Sequence, residues 1–236
     1  AIFTCGGAAG LLGGFAIGGW LEGWVGWRGT FLAVGVPGIL LAIVVQMGVK
    51  ERRAEAREPV TPGVIGRILA DVRIRYLLLT QALANLVTFS QLQWMPAFFE
   101  RSFEIDRGTL GVTIALTRGV GMIVGMLLGG AISDRLYRRH PLGPVTLIAC
   151  AHALAFAPAV SIYFSGNLTA AFTLAALAGL VSSAAIGPEL SMIQTVVPPE
   201  NRASGSALSG LVSSLVGLSA GPLIVGLLSD ALMPSY

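Results

Sequence analysis

Seven apolar stretches follow one another along this chain, and no soluble fold accommodates them. They cover residues 1–20, 31–48, 76–99, 110–132, 143–164, 169–194 and 204–228. A helix needs about 20 mainly apolar residues to cross a bilayer core. Each stretch meets or approaches that length, with 31–48 near the lower limit. Charged residues make up only 11% of the 236, whereas soluble domains carry about 25%. Mean hydropathy is +0.78. Lipid offers no hydrogen bonds to an open backbone, so stretches of this length read as helices. The expected fold class is all-α integral membrane, a multi-pass helical bundle.

Most linkers are short, so neighbouring spans are expected to run antiparallel. Residues 49–75 are the exception. They open with a mixed-charge run, Lys50 to Glu58, and continue with Thr61-Pro62, a good N-cap and first-turn proline. Val64, Ile65, Ile68, Leu69 and Val72 then fall on one face at helical spacing. This predicts a short helix, lying either along the membrane surface or as a solvated linker. Of the 15 basic residues, seven lie in 49–75 (Lys50, Arg52, Arg53, Arg57, Arg67, Arg73, Arg75), three in 133–142 (Arg135, Arg138, Arg139) and one, Arg202, in 196–203. The loops of the opposite side hold only Arg28, Arg101 and Arg107. The positive-inside rule therefore puts the 49–75 loop in the cytoplasm. The same distribution accounts for the sequence pI of about 9.2 without nucleic acid as a partner. Ala1 lies inside an apolar, glycine-rich stretch without an initiator Met, and Tyr236 follows another such stretch, so truncation at both ends is expected.

A few polar residues stand inside the spans. Arg118 sits near the middle of 110–132, where a centred Arg costs about 2.5–3.5 kcal/mol on insertion scales. It faces either a cavity, where it binds an anionic group or a carboxylate, or helix carbonyls in a structural role. Gln81, Asn85 and Thr88 recur at helical spacing in 76–99, with Gln91 and Gln93 further out. Such a stripe faces the bundle interior, as path lining or as polar glue between helices. Glu189 follows Pro188 toward the cytoplasmic end of its span and reads as a protonatable gate or as a hydrated capping carboxylate. His152 has no acidic neighbour on its own helical face and reads as a packed or hydrogen-bonded histidine. Cys5 and Cys150 lack metal-ligand spacing and read as small hydrophobes. No phosphate loop, catalytic carboxylate pair or zinc spacing occurs, so no cofactor is expected and an enzyme is disfavoured.

Glycines recur every four residues at Gly6, Gly10, Gly14 and Gly18, at Gly121 and Gly125, and at Gly217 and Gly221. Small-x-x-x-small faces let helices approach closely, as static packing or as sliding surfaces. The strongest local motif is Gly130-Ala131-Ile132-Ser133-Asp134-Arg135-Leu136-Tyr137-Arg138-Arg139. It is expected to close its span with a cytoplasmic turn. There Asp134 would accept from a neighbouring helix end, while Arg135, Arg138 and Arg139 pair with acids or lipid phosphates. The arrangement is either a charged latch or an ordinary positive-inside loop.

Gly130-x-x-x-Asp134-Arg135-x-x-Arg138-Arg139 resembles the signature loop of the major facilitator superfamily, which follows that family's second and eighth helices. Tyr137 departs from it, since the family usually has Gly there. Gly26-Trp27-Arg28-Gly29-Thr30-Phe31 with Gly35-Val36-Pro37-Gly38, and Val197-Pro198-Pro199-Glu200-Asn201-Arg202-Ala203, look most like the spinster-like branch. Related anion symporters share parts of this pattern.

The resemblance covers the whole chain and implies a partial major-facilitator bundle, helices five to eleven of twelve. Residues 1–48 would end the first six-helix half, 49–75 would be the central cytoplasmic loop, and 76–236 would be the second half without its last helix. The implied function is secondary active transport of a small organic or lipid-like solute by alternating access, proton-coupled, in the cell membrane. The partners it implies are that solute, the proton gradient, membrane lipids and the missing N-terminal helices, which in this branch carry charged residues tied to proton coupling. Arg118, Gln81, Asn85 and Thr88 are the candidates for the substrate path; Glu189, Asp134, Arg135, Arg138 and Arg139 are those for coupling or gating. The alternatives are a non-transporting scaffold or degenerate paralogue, and a lipid-acting membrane enzyme.

Overall fold

A computed structural model describes residues 2–48, 63–105 and 107–232. Among the described residues every regular element is helical. Helix α1 (Ile2–Gly48) takes in both of the first two expected spans. The expected loop at 21–30 is instead a one-residue break at Gly26, with φ 67° and ψ 172°. That region of backbone space is essentially open to glycine alone, so one residue does the work of a loop. Thr30 Oγ1 donates to the Gly26 carbonyl at 3.0 Å, and the Arg28 guanidinium lies 4.7 Å over the Trp27 ring.

Helix α2 (Val64–Ala70) starts at Gly63, which is left-handed at φ 79°. Thr61 and Pro62, the expected start, lie outside the described residues. The expected apolar face is divided. Val64 and Ile68 are buried against Ile74, Leu78, Ile193 and Val197, while Ile65, Leu69 and Val72 stay exposed. The helix is thus docked on the bundle end and shows an apolar edge outward. Asp71 links it to α3 (Val72–Phe103) by capping that helix, accepting from the Arg73 N–H at 2.8 Å.

Three rods that read as single spans are interrupted. Helices α4 (Arg107–Ile114) and α5 (Val120–Arg139) are joined by a widened π turn, Ala115–Gly119. After α6 (Gly143–Ser161), α7 (Leu168–Ser183) and α8 (Ile186–Val196) are separated by a turn at Ala184 and Ala185. Pro188 has no N–H for the Ala184 carbonyl, which is where an unbroken helix would need one. Helices α9 (Arg202–Val212) and α10 (Gly221–Leu232) flank a second π stretch, Ser213–Ala220. Pro222 just beyond it likewise cannot donate to Leu218.

Among the described residues five segments are long and apolar enough to cross a membrane: Ala16–Gly48, Thr109–Arg139, Gly143–Phe164, Leu168–Val196 and Pro199–Leu232. Helix α3 is 32 residues long but falls outside this group, because its amide side chains dilute its apolar run.

Two close crossings organise the bundle. A Cβ on Gly121 would stand 2.8 Å from the Ala176 carbonyl oxygen, and Gly125 and Gly129 lie closer still to the Leu180 and Ala184 carbonyls. Gly217 and Gly221 press on Asn85 and Leu86 of α3, where a Cβ would come within 2.7 Å. Glycine is required at these positions because neighbouring backbone, or at Gly217 the Asn85 Cβ and the Phe89 ring, occupies the space. The first-span glycines differ: Gly6, Gly10, Gly14 and Gly18 meet nothing within 4 Å. Toward the C-terminal end of α3, Phe99 stacks on Phe172 with centroids 4.5 Å apart, inside a core with Met95, Leu110, Ile114 and Ile162.

Candidate functional site

Arg118 lies in the widened turn before α5 and is only 5% exposed. A π turn holds an extra residue and re-aims the side chains around it; here it goes with an arginine turned into the bundle. Arg118 Nη2 donates to Gln91 Oε1 at 3.2 Å and Nη1 to Met95 Sδ at 3.4 Å. Nε is buried with no hydrogen-bond partner. A guanidinium offers five N–H donors, and a thioether is a weak acceptor. No carboxylate among the described residues pairs with it. It is a buried cation with unused hydrogen-bonding capacity.

A cleft along α3 runs past this residue as three cavities, called outer, middle and inner in order from the C-terminal end of α3. The outer one, about 510 Å³, is lined by Gln91, Trp94, Phe98 and Tyr163 among others. The middle one, about 410 Å³, holds Arg118, Thr88, Gln91, His152 and Phe156. The inner one, about 320 Å³, holds Arg73, Tyr76, Thr80 and Glu189. Gln91 belongs to the outer and middle cavities, and Thr80 to the middle and inner ones. Between the middle and inner cavities, His152 Nε2 lies 2.8 Å from Glu189 Oε1. Glu189 is buried there, in the first turn of α8.

The expected polar stripe on α3 is thus shared between two neighbours. Thr88 faces the cleft. Gln81 accepts from Ser209 Oγ at 2.8 Å, and Asn85 donates to Ser213 Oγ at 2.9 Å. These two amides join α3 to α9 and the π stretch after it. The acid beside His152 comes from another helix, 37 residues along the chain, so no pattern on its own helix could reveal it.

The charged motif differs from expectation in shape. Residues 134–139 continue α5 rather than forming a turn. Asp134, Arg135, Arg138 and Arg139 are exposed, and among the described residues none of them has an ion-pair or hydrogen-bond partner. The turn comes at His140: its N–H donates to Leu136 O, and Gly143 N–H donates to His140 O, both at 2.9 Å. A Cβ on Gly143 would stand 2.7 Å from Leu136 Cβ. Tightness therefore rests on Gly143, and Tyr137 occupies an exposed helical position that does not call for glycine.

Among the described residues no group of three His, Cys, Asp or Glu is placed to hold a metal.

The model of the Major Facilitator Superfamily matches residues 1–231. An "MFS-type efflux pump" of Mycolicibacterium smegmatis is 28% identical over 228 residues, covering 95% of this chain and 52% of the pump. The human "Glucose-6-phosphate exchanger SLC37A1" is 30% identical over 159 residues, 63% of this chain and 28% of the exchanger. The chain thus spans about half the length of the first relative and less of the second. In fold it is similar to a bacterial homolog of the human lysosomal transporter Spinster. The inward-facing unoccupied structure gives a TM-score of 0.76 at 23% identity, over 97% of this chain and 54% of that one. The inward-facing occupied structure gives 0.73 at 23% identity, over 97% and 53%. A family of membrane transporters, a bundle of apolar helices and a buried cation beside a cleft agree with one another, and the chain belongs to the Major Facilitator Superfamily.

Proposed function

We propose that this chain is part of a secondary active transporter that moves a small organic or lipid-like anion by alternating access, driven by the proton gradient. Residues 1–48 would close the first half of that transporter, 49–75 would be its central cytoplasmic loop, and 76–236 would form most of the second half. Its place would be the inner membrane of a bacterium. Exposed apolar residues along α1, such as Trp24, Phe31 and Leu32, form a surface for the remaining helices or for lipid.

Arg118 is the observation that carries the choice of an anion. It is buried, has no carboxylate partner, keeps a free Nε–H, and borders a 410 Å³ cavity whose other walls are mainly apolar. A phosphate or carboxylate headgroup would fill the missing acceptor positions, and its apolar portion would lie along Leu83, Val87 and Phe156. The phosphate ester in the human exchanger's name points to the same chemistry. Among the coupling candidates, Glu189 has the placement that suits a proton carrier, while Asp134, Arg135, Arg138 and Arg139 stand free at the end of α5 for contact with another part of the protein or with lipid phosphates.

The test uses the full-length protein in proteoliposomes, screened with labelled organic phosphates and lysolipids, with and without a pH gradient. At least one of these anions should move faster with the gradient. Arg118→Ala should slow it about 10-fold or more, the value of a lost charged hydrogen bond of about 1.5–3 kcal/mol, and Arg118→Lys should restore part of the rate. Wild-type rates in Arg118→Ala for every transported compound would remove Arg118 from the site. Transport of no compound would favour a scaffold.

A further inference from the structure

His152 of α6 and Glu189 of α8 form an ionisable side-chain pair between two helices. We propose that they form a proton-binding site that clamps α6 to α8 between the middle and inner cavities, and that the clamp is tightest when the pair holds one proton. The proton's use in transport rests on the reading above; its binding does not.

Geometry carries the assignment. Nε2 and Oε1 are 2.8 Å apart, a charge-assisted distance. The carboxyl is 9% exposed and the imidazole 28%, so the pair is largely shielded yet reachable from the cavity that His152 lines. Pairs this close bind protons in coupled steps that belong to the pair. With one proton, shared between an imidazolium and a carboxylate, the contact has its full attraction. A second proton neutralises the carboxyl and leaves a lone imidazolium. Removal of the only proton leaves a buried carboxylate facing a neutral ring. Both departures loosen α6 from α8.

Among the described residues no second carboxylate borders the middle or inner cavity. From α3, Arg73 and Tyr76 border the inner cavity with Glu189. From the turn before α5, Arg118 borders the middle cavity with His152. Tyr163, just beyond α6, borders the outer cavity. Helices α5, α7 and α9 place no charged or titratable side chain on the middle or inner cavity.

The experiment measures proton binding without substrate, so it is independent of the transport test. Thermal midpoints of the detergent-purified full-length protein are recorded over about pH 4–9, which spans the ordinary carboxylate and imidazole ranges. Wild type should show a maximum that falls on both sides. Glu189→Gln and His152→Asn should each lose that maximum and differ from wild type by about 2 °C or more near it. Infrared difference spectra of the same protein, taken between acid and neutral pH, give a second readout. They should show a carboxyl band that vanishes in Glu189→Gln and shifts in His152→Asn. Should either variant fold poorly, the wild-type infrared band and its response in the other variant decide. A wild-type profile shared by both variants, or a carboxyl band untouched by His152→Asn, overturns the assignment.

Discussion

Asn85 of α3 donates from Nδ2 to Ser213 Oγ at 2.9 Å, across a sequence separation of 128 residues. Gln81 meets Ser209, and Trp94 Nε1 meets the Pro222 carbonyl, at the same separation of 128. A constant offset with rising number on both sides means that the two helices run parallel and in fixed register. Three polar ties spaced along their length hold that register, with Gly217 and Gly221 bringing the backbones close between them.

If these ties act as ordinary membrane hydrogen bonds, the Asn85–Ser213 coupling in a double-mutant cycle should be about 0.6 kcal/mol, and no more than about 1.7. Asn85→Ala, Ser213→Ala and the double variant, unfolded reversibly from mixed micelles, measure it. A coupling of zero would mean that this tie adds nothing to the register, leaving it to the glycine contacts and the other two ties.

The α5–α7 crossing should tolerate almost nothing at its centre. Gly125→Leu places a side chain where the Leu180 carbonyl and Ser183 hydroxyl already lie, so the yield of folded, monodisperse protein should fall to near background. Gly187→Ala, at a glycine with no neighbour within 4 Å, should change the thermal midpoint little. Size-exclusion profiles of the two variants make the comparison.

Gly26 poses a purely conformational question. A Cβ there meets nothing within 4 Å, so crowding is not the obstacle. The obstacle is its backbone, at φ 67° and ψ 172°, a region that residues with a Cβ essentially avoid. Gly26→Ala should therefore cost about 1–3 kcal/mol, while Gly38→Ala, also without a neighbour, should be close to neutral. Thermal midpoints of the full-length variants test the difference.

At the head of α3, the Arg73 hydrogen bond holds the Asp71 carboxyl below its usual value, helped by that residue's backbone N–H and by the charge of Arg75. A depressed folded-state value means that the cap's contribution is present above the unfolded carboxylate value and is lost as pH falls through the folded one. Exchange protection of the first amides of α3, corrected for intrinsic rates, should therefore weaken at acid pH in the wild type. Asp71→Asn should flatten that dependence, and an unchanged slope would assign it to another group.

How much of this was legible in the sequence depends on the range of the interaction. The spans at 110–132, 143–164, 169–194 and 204–228 were, because about 20 consecutive apolar residues are a local signal. The signature motif pointed to the family, and Arg118 stood out because a charge in an apolar run is conspicuous in itself. The break at Gly26 was placed in the right stretch, but its size was not, since nothing in 21–30 distinguishes a loop from a single non-helical residue. The stripe of Gln81, Asn85 and Thr88 announced a polar face but not its neighbours, which lie on α9, the following π stretch and across the cleft. The partnership of His152 with Glu189 was hidden for the same reason: helical periodicity describes one helix and is silent about which helix stands opposite. The continuation of α5 through Arg139 was obscured by reading the charged residues as the turn, whereas Gly143, beyond them, allows it.

The two widened stretches, Ala115–Gly119 and Ser213–Ala220, carry a mechanical consequence. Each holds a surplus residue relative to an α-helix. Drawing that surplus into regular α register exchanges hydrogen bonds locally and turns the segment beyond it by about 100°, one residue's share of a helical turn. Rotation about the long axis can then proceed without unwinding the rod or pulling its ends through the bilayer. Spin labels at Leu215 and Leu223 would register it as a change in their mutual orientation. Both rods could twist in place while their glycine crossings act as bearings.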